Sequence, residues 1–312
     1  MRVANFIIAG TEKAGTTSVF TYLGEHPQVC GSVTKETDFF RKEFTGDRQQ
    51  DQLNYARHFS RCTTTERIVM EASPGYLGEA ADVVPRIHSL VPDAKLLFIL
   101  RNPVERLYSS YNFHVGKFDI PEDLGIEEYV EKCFAFDRGD ASAGSLGIDE
   151  WYLKTLHFGR YTEFLKLYFD SFPERQIKVM FFEQLRDDVS GFIKQLSVFL
   201  DIDPGFWDEY EFRKSNVTFS GRNKVLHRMA MYMNNRMESF FRHRPELKHS
   251  VVSWYKKLNQ AREGYDPIPV SVRQKLEAYY QPCNTELGRL LGGTIPASWQ
   301  ATGDHAIDRV GI

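Results

Sequence analysis

Apolar and polar positions fall into short alternating blocks along this chain. Residues 6–9 (Phe-Ile-Ile-Ala) form an apolar run too short for a helix, and it ends at Gly10. Val19, Phe20 and Leu23 then recur at helical spacing. The stretch 5–23 therefore predicts a buried strand, a loop bounded by Gly10 and Gly15, and a helix for which Thr16, Thr17 and Ser18 offer capping hydroxyls. The alternation repeats. Residues 67–72 read as a strand ending at Ser73-Pro74-Gly75, residues 95–100 as a continuous apolar strand stopped by Arg101-Asn102-Pro103, and residues 176–182 as another strand. Helices are predicted near 51–59, over 79–90, from Pro103 to about Val115, near 149–157 and 160–171, and over most of 183–200.

Strands alternating with helices predict an α/β protein: a P-loop-like three-layer fold with a central parallel sheet flanked by helices. Residues 119–147 read as loop with a short helix, and residues 270–291 as an amphipathic helix pair broken at Pro282. The division expected is one domain, with an α/β core over 1–204, a helical extension over 205–299 and a loose tail over 300–312. The basic and aromatic segment 205–265 fits either a solvated helix face or a lid over an acceptor.

Composition narrows the field without deciding it. The chain has 312 residues, 42% of them hydrophobic and 26% charged, which suits a soluble globular protein with one large α/β domain. A net charge of −3 gives no general case for nucleic-acid binding. No apolar run approaches the length of a membrane span, and Met1 leads directly into the first strand with no visible signal peptide. Cys30, Cys62, Cys133 and Cys283 are far apart in sequence, and the expectation is four reduced thiols in a cytoplasmic protein. His88, His114 and His157 show no metal-ligand spacing and read as structural.

The chemistry lies past the strand ends. A strand feeding a helix through a glycine loop offers free amides and the positive end of a helix dipole to an anion, most often a phosphate. The loop Gly10-Thr-Glu-Lys-Ala-Gly15-Thr16-Thr17 has the glycine spacing of a Walker A loop, but Thr16 stands where the nucleotide-binding lysine belongs and the lysine has moved to Lys13. A parallel sheet brings Lys13, Ser73 and Arg101 to one edge. A P-loop kinase and a non-catalytic nucleotide binder are the rival readings. The kinase is disfavoured by Thr16, and the binder fits poorly with Glu36.

Four motifs in order carry a family resemblance: Lys13-Ala-Gly-Thr-Thr-Ser18, Lys35-Glu-Thr-Asp-Phe-Phe40, Glu71-Ala-Ser-Pro-Gly-Tyr76 and Arg101-Asn-Pro-Val-Glu-Arg-Leu-Tyr-Ser109. With them the chain resembles the sulfotransferases that use 3′-phosphoadenosine 5′-phosphosulfate (PAPS), in particular a bacterial branch related to the heparan-sulfate-type carbohydrate enzymes. The resemblance covers most of residues 3–200 and returns near 276–299. It implies that Lys13, Ala14, Gly15, Thr16, Thr17 and Ser18 hold the 5′-phosphosulfate, with Lys13 offsetting charge on the bridging oxygen. It implies Arg101 and Ser109 for the 3′-phosphate, Glu36 as general base, and Lys35, Asp38 and Ser73 beside the acceptor. Asp38 departs from the histidine of several carbohydrate enzymes, and Ala72 from a lysine. The disulfide-bounded loop of the animal enzymes has no visible counterpart, and Arg222 is the candidate to replace its phosphate contact. The implied donor is PAPS, with adenosine 3′,5′-bisphosphate (PAP) as product, with no metal and with a glycan or small-molecule hydroxyl as acceptor.

Overall fold

The structure is a computed structural model and describes residues 2–212, 219–221, 260–263, 265–293 and 295–299. Five parallel strands form the central sheet: β1 (Phe6–Gly10), β2 (Val29–Gly31), β3 (Ile68–Ala72), β4 (Lys95–Leu100) and β5 (Ile177–Phe181), in the order β2-β3-β1-β4-β5. The helices are α1 (Thr16–Leu23), α2 (Phe39–Lys42), α3 (Arg48–Arg57), α4 (Ala80–Leu90), α5 (Pro103–Gly116), α6 (Ile126–Asp137), α7 (Ala143–Leu146), α8 (Glu150–Leu153), α9 (Tyr161–Ser171), α10 (Phe182–Asp187), α11 (Val189–Leu200) and α12 (Val270–Leu290).

The strands read as unbroken apolar runs because both faces of the sheet are covered. Successive side chains alternate between two cores. Ile7, Ala9, Val69, Leu96, Phe98 and Leu100 pack with residues of α4 and α9 on one face. Phe6, Ile8, Met70, Leu97, Ile99 and Met180 pack with residues of α1 and α11 on the other. A third cluster joins α5, α6 and α12 through Leu107, Tyr129, Cys133, Leu276 and Tyr280.

β1 lies between β3 and β4; from it the chain goes out to edge strand β2, returns inward through β3, crosses β1 to β4 and runs out to β5, so its direction of travel changes at β1. The carboxyl end of β1 is therefore the switch point of the sheet, where such folds open a crevice. The loop carrying Lys13 leaves the sheet there.

Three expectations are corrected. α12 runs unbroken through Pro282, because Val272, Leu276, Tyr280, Asn284 and Leu287 form one buried stripe on both sides of it, and that packing outweighs the hydrogen bond that proline removes. Residues 126–137 form a three-turn helix, longer than the short helix expected within 119–147; Ile126, Tyr129, Val130, Cys133 and Phe134 are its buried face. Cys30 and Cys62 form a disulfide, with Cα atoms 5.6 Å apart, whereas Cys133 and Cys283 are free thiols. Their 32-residue separation carries no pairing signal; the two meet because the segment after α3 folds back beside edge strand β2. Of the basic segment 205–265, residues 213–218, 222–259 and 264 lie outside the described residues. Among those described, Phe219–Gly221 (β6) pairs antiparallel with Gln260–Glu263 (β7).

Candidate active site

The loop after β1 is shaped by glycines. A Cβ on Gly10 would stand 2.7 Å from Leu77 Cβ, so the strand exit admits only hydrogen. Lys13 and Gly15 take positive φ values of 64° and 78°, and a Cβ on Gly15 would also meet Leu185 at 2.7 Å. This curl starts α1 at Gly15 with no side-chain cap. The hydroxyls of Thr16, Thr17 and Ser18 were expected to cap; a glycine does so instead, and the first-turn amides keep no side-chain acceptor of their own. An uncapped helix start at the sheet's switch point is a fitting receptor for an anion. Ala14 and Thr16 are buried, Gly15 and Ser18 half-buried, and Thr17 is exposed.

Lys13 is half-buried, with Nζ 3.7 Å from the centre of the Phe113 ring on α5. Burial pulls its ammonium pKa down to about 8; Glu12 and Glu36 oppose the shift, while Arg101 and Lys117 add to it.

Arg101 leaves the end of β4 and turns back. Its Nη1 donates to the Lys13 carbonyl at 2.8 Å, and its guanidinium lies 4.7 Å over the Phe182 ring. Burial lowers its pKa, and no carboxylate of the described residues comes within ion-pair distance of it. A half-buried guanidinium without a carboxylate suits a phosphate. Asn102 caps α5, its Oδ1 accepting from the amides of Val104 and Glu105 at 3.0 and 3.3 Å. Ser109 lies half-buried further along that helix.

Glu36 follows β2. Its amide donates to the Ala72 carbonyl at 2.8 Å, and its side chain is 56% exposed, with Oε1 2.5 Å from Lys35 Nζ. Asp38 pairs with Arg41 at 3.2 Å and Lys42 at 2.7 Å. Arg41 in turn stacks 4.2 Å over Trp151 and binds Glu79. Ser73 is fully buried, its hydroxyl between Glu71 and the Asp38 amide, behind the surface that Glu36 presents. Arg222 lies outside the described residues.

Two carboxylates escaped sequence reasoning. Glu71, fully buried, accepts from the hydroxyls of Tyr55, Thr37 and Ser73; burial raises its pKa against the lowering effect of these bonds. Glu12, within the loop, meets His114 Nε2 at 3.1 Å, and Asp119 meets His114 Nδ1 at 2.9 Å. Both signals lay inside motifs already noted, but burial and partner identity depend on tertiary structure. No group of three or more potential metal ligands occurs among the described residues, and none of their helices is long and apolar enough to cross a membrane.

A parallel sheet with a cationic, uncapped loop at its switch point defines the class of α/β proteins that bind the phosphates of a mononucleotide. Residues 4–262 match the family model described as a sulfotransferase domain, and the chain belongs to that family, whose sulfuryl donor is PAPS. It is 36% identical over 113 residues to the membrane-associated sulfotransferase kil1 of Dictyostelium discoideum, a match covering 36% of this chain and 23% of that protein. It is 26% identical over 294 residues to heparan sulfate glucosamine 3-O-sulfotransferase 6 of Mus musculus, covering 93% of this chain and 72% of that enzyme. A sulfotransferase crystal structure from Alicyclobacillus acidocaldarius superposes with a TM-score of 0.64 at 25% identity, over 96% of this chain and 99% of that one.

Proposed function

We propose that this chain transfers the sulfuryl group of PAPS to a hydroxyl of a carbohydrate acceptor, or of a small molecule with similar hydroxyls. The observation that carries this reading is the exposed carboxylate of Glu36, tied to the carboxyl end of β3 by its amide's bond to the Ala72 carbonyl, on the sheet edge where the loop after β1 carries Lys13. PAPS supplies an activated sulfuryl group on a phosphate leaving group. The loop amides from Gly15 to Ser18 with Lys13 hold the phosphosulfate end, and Arg101 with Ser109 holds the 3′-phosphate.

Glu36 takes the proton of the acceptor hydroxyl as that oxygen forms its bond to sulfur. The bond from sulfur to the bridging phosphate oxygen breaks, its electron pair stays with PAP, and the Lys13 ammonium offsets the charge gathering there. The ion pair with Lys35 engages Oε1 and leaves Oε2 for the acceptor. Asp38, with both oxygens engaged by Arg41 and Lys42, forms the wall beside it. Ser73 supports that wall from behind.

The mouse relative is named for glucosamine 3-O-sulfation, which supports a sugar hydroxyl as acceptor. The Cys30–Cys62 disulfide supports an oxidising compartment over the cytoplasm. Glu36→Gln tests the reading: sulfuryl transfer from labelled PAPS to unsulfated glucosamine-containing oligosaccharides is expected to fall about 10²–10⁴-fold with PAP affinity nearly unchanged. Full transfer by this variant removes Glu36 from the mechanism.

A further inference from the structure

The segment holding Glu36 is bent in an unusual way. Glu36 and Asp38 have φ values of 62° and 52°, the left-handed region that L side chains rarely adopt. Such a conformation persists only where the surroundings over-determine it. The surroundings here converge on one atom group. The Asp38 amide donates to Ser73 Oγ at 3.1 Å, the Phe39 amide to Thr37 Oγ1 at 3.3 Å, and the Phe40 amide to the Tyr76 hydroxyl at 3.2 Å. Ser73 and Thr37 each pass their own proton to Glu71 Oε1 at 2.9 Å, and Tyr55 donates to Oε2. Glu71, Ser73, Tyr55 and Tyr76 are all fully buried, and Thr37 nearly so.

The directions of these bonds matter. A hydroxyl has one proton; while it gives that proton to Glu71, its lone pairs face the amides. A carboxylate is an acceptor only, so an ionised Glu71 orients the surrounding hydroxyls together. Two consecutive amides, at 38 and 39, are thereby fixed two and three residues after Glu36. A core carboxylate needing only satisfaction would not require its donors to end on one backbone segment.

We propose that Glu71 is a positioning residue for Glu36: through Thr37 and Ser73 it holds the left-handed bend that aims the Glu36 carboxylate at the acceptor. This rests on Glu36 being the base. Glu71→Gln keeps the shape but puts donors where only acceptors fit, and Thr37→Val removes one arm of the relay while leaving the carboxylate in place.

The experiment follows PAPS hydrolysis to PAP and sulfate, water taking the acceptor's place, in both variants, in Glu36→Gln, and in the combinations. PAP affinity is read by calorimetry. The expected result is a loss of about tenfold or more in kcat for Glu71→Gln and a smaller one for Thr37→Val, with the KM for PAPS and the PAP affinity within about twofold. In the Glu36→Gln background the same changes are expected to cost less than about twofold, because the residue they aim is already disabled. Equal losses in both backgrounds, or a fall in PAP affinity matching the fall in rate, mark a general disruption and overturn the proposal. So does an unchanged kcat in Glu71→Gln; should that variant not fold, Thr37→Val decides by the same criteria. A Glu36→Gln enzyme as active as the parent overturns the base assignment itself, and the positioning role with it.

Discussion

Lys13 Nζ rests 3.7 Å from the centre of the Phe113 ring, and no carboxylate of the described residues lies within ion-pair distance of it. The ring's negative face holds the ammonium without neutralising it, so the charge stays available to a ligand. Desolvation has already brought its pKa to about 8. An anionic ligand favours the protonated amine; above pH 8 the free protein must first take up a proton to provide it. PAP affinity is therefore expected to fall by up to about tenfold per pH unit above that point, and to stay flat in Lys13→Arg, whose guanidinium remains charged. Calorimetry on both proteins between about pH 7 and pH 9.5 checks this. A flat parent curve would separate Lys13 from the anion.

The role proposed for Arg101 is to hold the 3′-phosphate of the donor. Arg101→Ala is expected to weaken PAP binding by about 2–5 kcal/mol, the cost of leaving a partly buried charge unpaired. Adenosine 5′-phosphosulfate, which lacks the 3′-phosphate, should lose little. Equal losses for both ligands would place the arginine in the framework, through its bond to the Lys13 carbonyl.

Acid acts on the loop through Glu12. Burial resists ionisation of this carboxyl, yet the hydrogen bond and charge of His114 bring its pKa below the usual value of 4.5. A depressed acid contributes stability above its unfolded pKa and loses it as pH falls through the folded one. Thermal stability is expected to drop on acidification below about 4.5, and Glu12→Gln to show a shallower drop in that window together with a lower plateau at neutral pH. Differential scanning calorimetry from about pH 3 to pH 7 distinguishes the curves.

Closing a 32-residue separation, the Cys30–Cys62 bond restricts the unfolded chain, by about 3–4 kcal/mol on the loop-entropy account. The double variant Cys30→Ser/Cys62→Ser is expected to unfold at a correspondingly lower denaturant midpoint. An unaltered midpoint would mean that the bond forms without stabilising.

How much of this was legible in the chain varied with the range of the interaction that decides it. β4 was readable to the residue, because a run of buried apolar side chains ending at Arg101-Asn102-Pro103 is a local signal. The anion loop was readable because glycine spacing is local too. Pro282 misled, since proline's local cost is outweighed by a buried stripe that packs against α5 and α6. The disulfide and the bonds of Glu71 to Tyr55 and Thr37 were illegible, as each depends on segments 16 to 34 positions apart meeting in space. The αL bend at Glu36 was hidden for the same reason: the hydroxyl of Thr37 lies beside it in sequence, but the groups it and the Asp38 amide meet, Glu71 and Ser73, are in β3 and just after it.

α5 touches the site at several depths. Asn102 caps its start beside Arg101, Ser109 lies along it, Phe113 sits beneath Lys13, and His114 holds Glu12 near its end. From Ser109 to Phe113 an ideal helix rises about 6 Å, and a helix this short resists stretching. With the donor held as proposed, its two ends are mounted on a single rod of fixed length. The helix would then work as a gauge: a nucleotide whose phosphate and reactive end are spaced differently could fill one half only by vacating the other.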